Sequence, residues 1–127
     1  MQDRNLYEYA VIRLMPRVER EEFVNVGIIL FCKKSRFIRV MYHLDADKLQ
    51  CFCSEIDFVQ LELNLLSFQK IGEGAKDGGP IAAMEVPERF RWLTAVRSSV
   101  IQTSRPHPGL SSNLDQTITR LFEELVL

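Results

Sequence analysis

Phe23–Cys32, FVNVGIILFC, is the most apolar segment of the chain and decides how the rest is read. Val24, Val26, Ile28 and Leu30 alternate with Asn25, Gly27, Ile29 and Phe31. Both sets are mainly apolar, so the segment reads as a central strand covered on both sides. A glycine inside a strand marks a bulge or a close backbone approach, which singles out Gly27.

Leu6–Leu14, LYEYAVIRL, precedes it and is rich in aromatic and β-branched residues. Tyr7, Tyr9, Val11 and Arg13 fall on one face, with Glu8, Ala10, Ile12 and Leu14 on the other. Pro16 ends this strand, and the charged link Arg17–Glu22 has room for one helical turn. Lys33-Lys34-Ser35 is short enough for a hairpin into a third strand, Arg36–His43. Links this short cannot make parallel crossovers, so an antiparallel meander is expected.

Beyond it, Asp45 or Asp47 can cap a short helix running through Cys51. Ser54-Glu55-Ile56-Asp57 has the form of a capping box. Phe58, Leu61, Leu65, Phe68 and Ile71 then recur at helical spacing, which predicts a helix over about residues 55–71, closed by Gly72 and Gly74. Gly72–Pro80 reads as a loop and Ile81–Val86 as a short extended piece. Pro87 suits the first turn of a helix, with Phe90 and Leu93 inward and Arg89 and Arg91 nearer solvent. Ser98–Ser104 is expected as a fourth strand, Pro106-His107-Pro108-Gly109 as a turn, and a last helix capped by Ser112 or Asn113. The fold class expected is a single α+β domain over residues 1–127. Its three- to four-stranded, mainly antiparallel sheet is packed by the middle and C-terminal helices.

The 127 residues are 46% hydrophobic and 26% charged, with a formal net charge of −1. A chain of this size buries a core without disulfides or metal. Three cysteines and the absence of a signal peptide lead to an expectation of reduced thiols and a cytoplasmic location. The longest apolar run, Val26–Cys32, is far short of a membrane span.

Polar chemistry concentrates in Pro87–Gly109, PERFRWLTAVRSSVIQTSRPHPG, which holds the only Trp and four arginines. Arginine suits bidentate contact with carboxylate or phosphate. Arg89, Arg91, Arg97, Gln102, Arg105 and His107 are therefore the candidate binding residues. The plainer alternative is a solvated helix face and a turn histidine.

Other patterns are weaker. Cys32, His43, Cys51 and Cys53 lack the paired spacing of a zinc site, so no metal is expected. Asp45 and Asp47 form a D-x-D that helix capping explains without Mg²⁺. Lys33, Lys34, Arg36 and Arg39 alternate with Phe37 and Tyr42, but those two rings point to opposite faces, so they make no single stacking platform. The glycines of 72–79 match neither the P-loop nor the dinucleotide fingerprint, and no cofactor is expected. No nucleophile–base spacing accompanies His107, so no catalytic residue is assigned and a non-enzymatic role is favoured.

The segments YEYAVIRLMPRVEREEFVNVGIILFC, ERFRWLTAVRSSVIQTSRPHPGL and RLFEELV resemble a bacterial family of unknown function, family 3037. That resemblance implies no established activity or catalytic residue. It implies an association with a HipA-like kinase protein, and hence a role as its interaction partner or regulator. No kinase motif is present in this chain. The alternatives are a nucleotide- or phosphate-binding module using the Arg89–His107 stretch, and a hydrolase pairing His107 with Asp45, Asp47 or Glu19.

Overall fold

The computed structural model describes residues 4–95 and 100–127. The first three strands form the expected meander: β1 (Asn5–Leu14), β2 (Val24–Cys32) and β3 (Phe37–Tyr42). Then come α1 (Ala46–Phe52), α2 (Phe58–Glu73), α3 (Val86–Leu93), β4 (Ile101–Thr103), β5 (His107–Ser111) and α4 (Leu114–Leu125). All strand pairs are antiparallel, in the order β3-β2-β1-β4, with β5 also on β1. The architecture is α+β, with helices against both faces of the sheet.

Local sequence explains most element ends. Asp45 and Asp57 accept from the N–H groups of Lys48 and Gln60, capping α1 and α2. The cap of α2 is thus Asp57 and not Ser54, so the helix starts later than the expected residue 55. Gly74 closes α2 in the left-handed region at φ 67°, while Gly72 lies within the helix. Asn113 caps α4 by accepting from Gln116 N–H. Ile81–Ala83 is a single 3-10 turn, not extended chain, and Arg17–Glu22 does contain one such turn, Val18–Arg20.

The alternation read along β2 breaks at Gly27. Gly27 faces Ile12 and Asn25 faces Arg13, leaving Val26 as the extra residue of a bulge. Val24 and Val26 consequently share a core with Ile29 and Phe31, instead of with Ile28 and Leu30. A Cβ on Gly27 would sit 2.6 Å from the Met41 carbonyl oxygen, so only glycine fits.

The second correction concerns residues 106–109. Instead of turning away, His107–Ser111 pairs with Asn5–Tyr9 of β1, while Ile101–Thr103 pairs with Ile12–Leu14. β4 and β5 therefore lie end to end along one edge of β1. The ladder breaks between them, and Ser104 bridges the break. Its N–H donates to Val11 O at 2.9 Å and its Oγ accepts from Val11 N–H at 2.9 Å. Pro106 and Pro108 supply no N–H, yet an edge strand tolerates this because one of its sides pairs with nothing. Gly109 lets the Tyr7 ring lie across β5, since a Cβ there would strike the ring.

Two cores result. Ile12, Leu14, Ile29 and Phe31 meet Leu61, Leu65, Phe68 and Ile71 of α2 and Phe90 and Leu93 of α3. Phe31 and Phe90 stack at 4.7 Å. On the other face Tyr7, Val11, Ile28 and Leu30 meet Ile118, Leu121 and Phe122 of α4. No helix among the described residues is long and apolar enough to cross a membrane.

Candidate functional site

The described arginines of Pro87–Gly109 differ in setting. Arg89 is half-buried, not solvent-facing: its Nη1 donates to the carbonyls of Ile71 and Gly72 at 3.2 and 3.3 Å. Both carbonyls belong to the last turn of α2, where Ile71 O also accepts from Gly74 N–H at 3.2 Å, so a cation there meets the negative end of the helix. Arg91 lies exposed on α3, and Trp92 keeps 40% of its surface in solvent. Arg97 lies outside the described residues. Arg105 is exposed at the break between β4 and β5.

His107 and Gln102 sit elsewhere. His107 opposes Tyr9, and their rings lie 5.3 Å apart. Gln102 opposes Arg13. Directly opposed residues share a sheet face, and Tyr9 packs on the α4 core. Arg89 and His107 are therefore on opposite faces of the sheet and share no pocket.

What the fold does assemble is a strip along β1 and the β4–β5 edge, at the rim of the area that α4 covers. It comprises Tyr9, His107, Arg13 and Gln102, all half-buried. The Arg13 guanidinium carbon stands 4.0 Å from the centre of the Phe23 ring, which is itself 41% exposed. This is cation–π geometry. Arg13 Nε is buried and has no hydrogen-bond partner among the described residues. A cation, an imidazole, two aromatic rings and an amide thus stand together, while Glu8 of β1 points to the other face by strand alternation. Tyr9 and Arg13 were legible as one face of β1. Their approach to His107 and Gln102 was not, because nothing local encodes that register.

The second concavity lies at the far end of β1, between the β1–β2 link and the α1–α2 link. Two adjoining cavities of about 460 and 260 Å³ share Pro16, Arg17, Cys53 and Glu55. Cys51 and Arg20 line the larger one. Cys32, by contrast, is buried at the end of β2, with its Sγ 3.5 Å from Ser35 Oγ. The four groups weighed above as a zinc set do not assemble. Among the described residues no group of three or more His, Cys, Asp or Glu is placed to hold a metal.

Fold and sites together define a small α+β protein, its antiparallel sheet bearing helices on both faces and an aromatic–basic strip at one rim. The chain belongs to the family described as a protein of unknown function, DUF3037, whose model matches residues 9–126. No curated protein and no solved structure matches it.

Proposed function

We propose that this protein is a non-enzymatic interaction module that docks a protein partner on the Tyr9–His107–Arg13–Gln102 strip. The observation that carries this is Arg13: its guanidinium is held over an exposed aromatic ring with Nε unpaired. A half-buried guanidinium held over an aromatic ring is preorganised to take a docking carboxylate or carbonyl on its terminal nitrogens. Arginine and aromatic side chains are also the commonest interface anchors. The partner we propose is a HipA-like kinase protein, on the strength of the family resemblance, with an acidic patch meeting the strip. Pro106 and Pro108 blunt the neighbouring edge against strand addition, which favours recognition through side chains.

The test is co-expression with a HipA-like kinase protein from the same organism, followed by size exclusion. Co-elution is expected, and it should be lost in an Arg13→Gln/His107→Ala double variant that retains its circular dichroism. Separate elution at micromolar concentration would overturn the reading.

A second reading draws on the same residues, because a guanidinium beside aromatic rings also suits a phosphate attached to a base. Calorimetric titration of nucleotides and short single-stranded RNA at low salt checks it, and no heat would discard it. A hydrolase has less support. Asp45 and Asp47 follow β3, on the sheet edge opposite β5, and Glu19 lies in the turn beyond the end of β1.

A further inference from the structure

We infer that Cys51 and Cys53 form a dithiol switch in the groove between the β1–β2 and α1–α2 links, which reacts with carboxylate-bearing disulfides such as oxidised glutathione. Both cysteines line the same cavity, Cys51 exposed and Cys53 half-buried, and all three cysteines are free. Cys51 lies in the last turn of α1, and Cys53 follows it in extended conformation at φ −154° and ψ 118°. Two residues apart, their Cα atoms are separated by at most about 7 Å. Phe52 between them is helical, and that shortens the separation into the range of about 4.4–6.8 Å that a disulfide spans. The cavity wall opposite carries Arg17 and Arg20. Arg20 is paired with Glu22, whereas Arg17 forms no ion pair among the described residues. A carboxylate entering the groove would thus meet Arg17 on the same lining as Cys51, with Glu55 the acid it must avoid there.

The chemistry balances without any further redox agent. The Cys51 thiolate attacks one sulfur of the small disulfide, forming a mixed disulfide and expelling one small thiolate. The Cys53 thiolate then attacks Cys51 Sγ, forming the Cys51–Cys53 disulfide and expelling the second. Two protein thiols are oxidised and one disulfide is reduced to two thiols. Cys32 is the internal control, since its burial withholds it from exchange.

The experiment treats the reduced full-length chain with oxidised glutathione and follows intact mass and peptide maps. The expected course is a transient single adduct on Cys51, giving way to an intramolecular disulfide. Cys53→Ser should trap the adduct, and Cys51→Ser should abolish both species. Arg17→Gln should slow the glutathione reaction about fivefold while leaving an uncharged disulfide such as hydroxyethyl disulfide unaffected. The inference is overturned if the Cys53→Ser adduct is absent or lies on Cys32, if no Cys51–Cys53 bond forms, or if Arg17→Gln slows both reagents equally.

Discussion

Replacing Arg89 with alanine separates a helix cap from a ligand contact. In the folded protein its Nη1 bonds two carbonyls at the end of α2, at 3.2 and 3.3 Å, and the side chain is half-buried. Hydrogen bonds from a charged donor contribute about 1.5–3 kcal/mol in good geometry. Both bonds are long and share one nitrogen, which places the pair near the lower end. The buried Nε has no partner, and removing it returns part of the loss. The net expectation is a destabilisation of about 1–2 kcal/mol, or a fall in Tm of about 4–10 °C for a chain of this size. Urea unfolding followed by far-UV circular dichroism reads this directly. Arg91→Ala, exposed on the same helix, is the control and should stay within about 0.5 kcal/mol of the parent. An Arg89→Ala protein as stable as the parent would refute the capping role. A folded Arg89→Ala protein that lost its partner would move the docking surface to the other face.

Gly109→Ala should destabilise by about 1–3 kcal/mol in the same assay, because the new Cβ collides with the Tyr7 ring that lies on it. Ser104→Ala should lower stability by about 1–3 kcal/mol, since it leaves the buried Val11 N–H without its acceptor. Amide exchange at Val11 should speed up with it, and an unchanged rate would count against the bridge. The Asp77 carboxyl is held below its ordinary 3.8, chiefly by its hydrogen bond from Lys70 and then by the lysine charge. Because the folded value is the lower one, the contribution to stability is present above about 3.8 and is lost as pH falls through the folded value. A carboxyl NMR titration should find the Asp77 midpoint rising toward the ordinary value in Lys70→Met, with a smaller shift at high salt because the pair is exposed.

Much of the fold was legible because it rests on local physics. The two faces of β1 follow from period-two alternation, and the stripe of α2 follows from period 3.6. The caps at Asp45 and Asn113 follow from short side chains reaching back to free N–H groups. The bulge and close approach expected at Gly27 are present, but the face of Val24 and Val26 was misread because a bulge needs a partner strand to define it. The reading of 106–109 went wrong because two prolines and a glycine carry the same signature in a turn as on an edge strand. The candidate site was less legible. Chain proximity grouped Arg89 with His107, whereas the sheet passes between them.

By itself the sequence determined the three strands of the meander, the four α-helices, the inward stripe of α2, and that a sheet is packed by helices. Those properties depend on residues within a turn or two of each other. Tertiary structure alone decided that β1 would be flanked by β2 on one side and by β4 and β5 on the other. It also set Val11 against Ser104, 93 residues away, and so joined Tyr9 to His107 and Arg13 to Gln102. Pairing across such a distance is selected by how whole faces pack. No short window of sequence carries that information.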